Sequence, residues 1–165
     1  MPHSALYDDD ILRWSEQQAK IVRELGRTRR DLPNEFDVEN VAEEIESVGR
    51  SELAAVKSRI ENILLHLIKL AADPESASAR HWQAEILSFH YELLDRYAAS
   101  MRQRIDMDKL WQQARKRSIL IFPQDSGLAD WLPVESPFSL DDVVIEEIDA
   151  STLAARVRAD FPGDD

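Results

Sequence analysis

The sequence of 165 residues contains no cysteine, so disulfide bonds, thiolate metal ligands and a cysteine nucleophile are all excluded. Its four glycines form neither a phosphate-binding loop nor the Gly-x-Ser-x-Gly turn of a serine hydrolase. No apolar run approaches the roughly 20 residues that cross a bilayer. The first ten residues also lack the basic and apolar segments of a signal peptide. These absences predict a cytoplasmic protein that does not enter a membrane.

Acidic residues dominate the charge, with a formal net charge of −12. The segment from Ile121 onward contains 11 acidic and two basic residues, whereas residues 1–120 carry a net charge of only −3. Because nucleic-acid phosphates would repel such a chain, general nucleic-acid binding is not expected. A basic segment at residues 95–117 is a local exception. We favour an acidic C-terminal segment folding over it, with a nucleic-acid patch as the alternative.

Scarce glycine and recurrent helical spacing predict an all-α fold, a helical bundle of about four main helices. We expect a single domain, residues 1–165, with its core in residues 7–122 and an acidic C-terminal arm of short helices in residues 123–165 that wraps the bundle. Helix starts are predicted at Asp8–Asp10, Asn34 or Asp37, Ser76 or Ser78, and Asp106 or Asp108. Residues 119–122 fit either a last helical turn or a short strand.

The remaining landmarks concern the C-terminal arm. Trp131-Leu132-Pro133 is predicted to anchor the arm on the bundle. Ser139 to Asp142 resembles a capping box that leads into a helix. A final helix is expected at about residues 152–159, ending before Pro162.

The stretch from Asp37 to Ala72 has the longest sustained helical pattern, and its apolar face changes partway along. Before Gly49, the apolar residues share one side, and Glu46 and Arg50 form an i,i+4 pair on another. After Gly49, that formerly apolar line becomes polar. The candidate polar cluster comprises Glu46, Arg50, Glu52, Arg59, Asn62, His66 and Lys69.

Three interpretations of this change remain open. Gly49 could end or kink the helix, so that the two patterns are unrelated. One long helix could instead pass between two packing partners and leave Arg59 and His66 in solvent. In the third interpretation, Glu52, Arg59, Asn62 and His66 line a partly buried polar cleft.

Metal and catalytic motifs are weak. The sequence contains no Glu-x-x-His pair of the kind that carboxylate-bridged metal bundles use. His81 and Glu85 could share a metal ion, and Asn62 with His66 could contribute neighbouring ligands, but we favour a surface ion pair and a hydrogen-bonded histidine near the core. We therefore predict no metal and no cofactor, and assign no catalytic residue, although Glu46 or Glu52 with His66 is a chemically feasible acid–base pair.

Several motifs resemble a known family: Tyr7-Asp8 with Trp14, the run from Asn40 to Glu52 (NVAEEIESVGRSE), Leu65-His66-Leu67-Ile68-Lys69, Trp82, and Leu132-Pro133 followed by residues 136–140 (SPFSL). Together they resemble the bacterial family known only as domain of unknown function 29, over nearly the whole chain. The resemblance implies a small, mostly helical bacterial protein without an assigned activity. It draws attention to Glu43, Glu46, Gly49, Arg50, His66 and Lys69. Where that family typically has Cys-Pro, this chain has Ser136-Pro137, which argues against a thiol role.

Because the sequence shows no catalytic motif and the central helix has a wide apolar arc, we predict a protein-interaction module. We expect it to self-associate as a homo-oligomer, namely a dimer, or to bind another protein. The alternative is a small-molecule- or metal-dependent enzyme with a polar cleft around Arg59 and His66.

Overall fold

Helices account for all the regular structure in the computed structural model, which describes residues 5–159 except for the side chain of Asp125. The α-helices are α1 (Ala5–Asp9), α2 (Ile11–Thr28), α3 (Val38–Ala72), α4 (Ala79–Arg96), α5 (Met107–Ile121), α6 (Leu128–Trp131) and α7 (Ala150–Arg158). Short 3-10 segments lie at Ala99–Arg104, Gln124–Ser126 and Leu140–Asp142. The predicted all-α fold with four main helices, α2 to α5, is confirmed. No helix among the described residues is long and apolar enough to cross a membrane.

Three of the four predicted helix starts rest on side-chain caps. The carboxylates of Asp10, Asp37 and Asp106 each accept a hydrogen bond from the backbone N–H three residues further on, at 3.0, 3.2 and 3.0 Å. Each carboxylate thereby satisfies one of the N–H groups that a helix start leaves without a partner. At the other end of α3, Pro74 disfavours helical geometry at Asp73, and the helix ends at Ala72.

Near the C-terminus, the structure decides one prediction that was left open and corrects another. Residues 119–121 are the last turn of α5 rather than a strand. The capping box of Ser139 and Asp142 is present, but it leads into a 3-10 turn and not into the longer helix expected there. The final helix, α7, begins at Ala150, capped by Asp149; Pro162 lies outside the described residues.

The chain forms two compact units, which are described separately. Unit 1 comprises residues 5–56 and 96–104 of the described chain, and unit 2 comprises residues 57–95 and 105–159. The single domain predicted from the sequence, with its core and arm boundaries, stays a prediction. Helix α3 supplies residues to both units.

In unit 1, α2 and α3 run antiparallel and approach each other closely at two glycines. A Cβ on Gly26 would lie 2.5 Å from a methyl group of Val38, and a Cβ on Gly49 would lie 2.1 Å from the Oγ of Ser15. Gly49 therefore serves as a contact point inside a continuous helix. The interpretation in which Gly49 ends the helix is wrong, because α3 continues to Ala72.

The second half of α3 belongs to unit 2 and is largely buried. Residues 63–68 are all buried, so this part of the helix is covered on every side. The arm docks at α5: the indole N–H of Trp111 donates to the Pro133 carbonyl at 2.8 Å, and Leu132 is 3% exposed. Arg115 donates to the Ala129 carbonyl at 2.8 Å. These contacts between the arm and the basic helix thus use backbone carbonyls as acceptors.

Candidate functional site

The seven residues of the predicted polar cluster all lie on α3, but they belong to different units. Glu46, Arg50 and Glu52 are part of unit 1, whereas Arg59, Asn62, His66 and Lys69 are part of unit 2. Each group is best described with its own neighbours.

In unit 1, Glu46 belongs to an ion-pair network on one flank of the α2–α3 pair. Arg23 of α2 donates to Glu39 at 2.9 Å and to Glu46 at 2.7 Å, and it lies 3.8 Å from Glu43. These hydrogen bonds from Arg23 lower the pKa of Glu46 below its usual value. Arg50 forms the predicted pair with Glu46 at 3.7 Å, but its contact with Glu43 is closer, at 2.5 Å.

Glu52 is not part of that network. It accepts from Arg96, with the shorter contact at 2.8 Å. Both residues belong to unit 1, so this pair ties the start of the 96–104 segment to α3.

The opposite flank of the α2–α3 pair is apolar and open. We call it the unit 1 face, and it consists of Trp14, Ile21, Leu25, Val41, Ile45 and Val48. Ile21, Leu25 and Val48 are 50%, 41% and 43% exposed. A groove of about 530 Å³ is lined by Trp14, Asn40, Val41, Glu44, Ile45 and Val48. An exposed apolar surface that follows two neighbouring helices is typical of a contact site.

In unit 2, Arg59 and His66 share an aromatic neighbour on α4. The ring of Phe89 lies 5.5 Å from the His66 imidazole and 6.0 Å from the Arg59 guanidinium, measured to the ring centroid. Arg59 also donates to Glu92 at 2.5 Å. The interpretation that leaves His66 in solvent is therefore wrong, since its exposure is only 8% and it packs against α4.

The chemistry of His66 follows from its surroundings. Its Nδ1 lies 2.8 Å from the Asn62 carbonyl, so Nδ1 carries the proton and Nε2 is an acceptor. Burial is the main cause that lowers the pKa of His66; Lys69 and His81 lower it further, while the hydrogen bond to Asn62 and the charge of Glu85 raise it. The imidazole is thus neutral at pH 7, the form that can act as a base.

Two further charged residues complete this part of unit 2. Arg117 of α5 donates to Glu61 at 2.7 Å and to the Asn62 side chain at 3.2 Å. Burial, and secondarily the charge of Arg117, lower the pKa of Lys69. No group of three His, Asp or Glu side chains within residues 5–159 is arranged to hold a metal ion.

The sequence pattern singled out the residues of the polar cluster, but it did not indicate the side chains that contact them. The side chains that contact the cluster come from helices other than α3: Arg23, Phe89, Glu92, Arg96 and Arg117. Because they are distant from the cluster in sequence, no local pattern indicates these contacts. Only the concentration of arginines in residues 95–117 hinted at a role for Arg117.

Comparison with known proteins supports the fold. The chain has 33% identity and a TM-score of 0.86 to an alpha-helical protein of unknown function from Rhodospirillum rubrum, known from a crystal structure. The match covers 94% of this chain and 98% of that one. No curated protein matches the chain. Residues 6–148 match the family described as domain of unknown function DUF29, and the chain belongs to that family.

Proposed function

We propose that the protein is a self-associating helical interaction module and that the unit 1 face is its contact surface. The observation that carries this proposal is the asymmetry of the α2–α3 pair. One flank satisfies its charges internally through Arg23, Glu39, Glu43 and Glu46, whereas the other exposes apolar side chains at helical spacing. Covering the exposed flank would remove apolar surface from water, which is the main driving force of association.

A second copy of this chain is the occupant that the charges favour. Unit 1 holds 13 acidic and 10 basic residues, a net charge of −3, so most of the chain's net charge of −12 lies outside unit 1. Two copies of unit 1 therefore repel each other weakly. A two-fold axis would pair each antiparallel helix pair with its copy, in the manner of a four-helix arrangement.

The test is the molar mass in solution, measured by sedimentation velocity over a wide concentration range. The wild type is expected to sediment as a dimer. The double variant Ile21→Lys/Val48→Lys is expected to weaken dimerisation at least tenfold, which corresponds to about 1.4 kcal/mol, because two charges would be buried in an apolar contact.

Leu120→Lys is the matched control, since Leu120 is an exposed apolar residue of unit 2, 77% exposed, and is not part of the unit 1 face. It should dimerise like the wild type. A monomeric wild type, or a double variant with unchanged affinity, would show that the proposal is wrong. Circular dichroism verifies that each variant keeps its helices.

A second candidate function, a small-molecule site around Arg59 and His66, rests on the shared contact with Phe89. A neutral imidazole whose Nε2 can accept a hydrogen bond lies on the same aromatic ring as a guanidinium. Native mass spectrometry of protein purified without chelator would reveal a bound molecule. The adduct should disappear in His66→Gln and remain in His81→Gln, whose exposed histidine serves as the control. A wild type without any adduct counts against this candidate.

A further inference from the structure

We infer that a small cavity of unit 2 binds a short aliphatic carboxylate. The cavity is lined by Leu70, Pro74, Gln83, Ser151, Ala154, Ala155 and Arg158, and its volume is about 210 Å³. All seven residues belong to unit 2, so this inference is independent of self-association through unit 1.

The size of the cavity limits the ligand. An engineered protein cavity of roughly 150 Å³ accommodates benzene, which has six heavy atoms. By the same scale, 210 Å³ accommodates about eight heavy atoms, as in hexanoate. Nucleotides and other large cofactors are too big.

The walls of the cavity are mainly apolar. Leu70 and Ala154 are 4% and 7% exposed, and they line the cavity together with Pro74 and Ala155. An aliphatic chain in contact with these residues would leave water without creating an unpaired polar group.

Polar groups are few. The Gln83 amide donates to the Ser151 hydroxyl at 3.3 Å, at the long end of hydrogen-bond distances. A carboxylate oxygen can accept from either group in place of this weak contact. Both side chains therefore provide donors at one place in an otherwise apolar cavity.

Arg158 supplies the charge. Its neighbour Arg156, on the same helix, is engaged with Asp142 at 2.7 Å and lies over the ring of Phe138. Arg158 is exposed and has no hydrogen-bond or acidic partner among residues 5–159. A free guanidinium presents two parallel donors to a carboxylate.

The charge of unit 2 favours a singly charged ligand over a phosphate. Its residues 57–95 and 105–159 include 16 acidic and 10 basic ones, a net charge of −6, which repels an anion in proportion to its charge. One guanidinium matches one carboxylate, and the apolar walls match the alkyl chain. An alkylamine would place its cation beside Arg158.

The test is a titration of the full-length, ¹⁵N-labelled protein with sodium hexanoate, followed by amide chemical shifts. We expect saturable shifts at Ser151, Ala154 and Ala155. Hexanol should bind at least tenfold more weakly, because it lacks the carboxylate. Arg158→Gln should weaken hexanoate binding at least tenfold, and Ala155→Leu should abolish it by filling the cavity.

Arg30→Gln is the control, since it makes the same change in charge at an exposed arginine of unit 1. It should bind hexanoate like the wild type. Equal affinities for hexanoate and hexanol, an equal loss in Arg30→Gln and Arg158→Gln, or no saturable shift at the cavity would each overturn the inference.

Discussion

Ser15 and Gly49 meet at the closest approach between α2 and α3: a Cβ on Gly49 would lie 2.1 Å from the Ser15 Oγ and 3.0 Å from the Leu12 Cα. Ser15 is fully buried and donates to the Leu12 carbonyl at 2.9 Å, so its hydroxyl has a fixed position. The absence of a side chain at residue 49 is what lets the two helices come together here.

The first prediction concerns Gly49→Ala. Alanine favours the helix by about 1 kcal/mol over glycine. The new methyl group nevertheless collides with Ser15 and with the backbone of Leu12, and such overpacking typically costs about 1–3 kcal/mol. We expect a net loss in the free energy of unfolding, measured by urea denaturation.

Ser15→Ala tests the cause of that loss. The double variant Ser15→Ala/Gly49→Ala removes the nearest atom and should recover part of the stability, but not all, because the Leu12 backbone stays in place. If Gly49→Ala alone were more stable than the wild type, the close approach of the helices would not be essential.

The second prediction concerns the pH dependence that Arg23 creates. Since Arg23 lowers the pKa of Glu46 in the folded state, the pair stabilises the protein above the usual glutamate pKa. The contribution disappears as the pH falls through the lowered value and Glu46 becomes protonated. Arg23→Gln should therefore lower the urea midpoint at pH 7, with a smaller difference from the wild type at about pH 3.

Arg27→Gln provides the comparison for Arg23. Arg27 contacts only its helix neighbour Glu24 among the acidic residues of the described chain, and it is 76% exposed. Its substitution should have little effect at either pH. Equal effects of the two substitutions would mean that the interhelical network contributes nothing specific.

The third prediction concerns His66. Because its pKa is lowered in the folded state, the unfolded chain binds the proton first as the pH falls. Stability is therefore complete above about pH 6.5, the usual histidine value, and decreases below it. In an NMR titration, the His66 ring should titrate at a lower pH than a model peptide does.

The matched substitution for His66 is glutamine, which keeps a polar side chain. His66→Gln should reduce the dependence of stability on pH between about pH 5 and pH 7. His81→Gln should change that dependence less, since the charge of His81 is the smallest of the influences on the pKa of His66. A His66 resonance that titrates at or above the model-peptide value would contradict this assignment.

The fourth prediction concerns the attachment of the arm. Trp111→Phe keeps most of the buried ring but removes the N–H that donates to the Pro133 carbonyl. The loss of a donor from this part-buried carbonyl should cost about 1 kcal/mol. We expect lower stability and faster limited proteolysis between residues 122 and 134. Trp82→Phe, at a half-buried tryptophan of α4, is the control; equal cleavage rates would argue against the anchor.

The sequence predicted the parts of the fold that local chemistry determines. Asp10, Asp37 and Asp106 cap helices through bonds to residues only three positions away, so their roles can be read directly along the chain. The family motifs were likewise local, and the family was identified correctly.

The candidate site was less predictable, because its partners are distant in sequence. Glu46 and Arg50 were expected to pair with each other, but Arg23 is the closer partner of Glu46 and lies 23 residues away. The sequence left open whether Gly49 ends the helix, because the helix that packs against it is distant in sequence. The burial of His66 depends on α4, which packs against it through Phe89, and no window along α3 reveals this contact.

Asp10 also makes a contact with a consequence for the order of folding. Its carboxylate accepts from the hydroxyl of Ser100 at 2.6 Å, across 90 positions of sequence, and both residues belong to unit 1. The ribosome must therefore synthesise residues 57–95, which belong to unit 2, before unit 1 is complete. A nascent chain released at residue 95 would carry the α2–α3 pair without its 96–104 segment, with Ala98 and Met101 missing from the core.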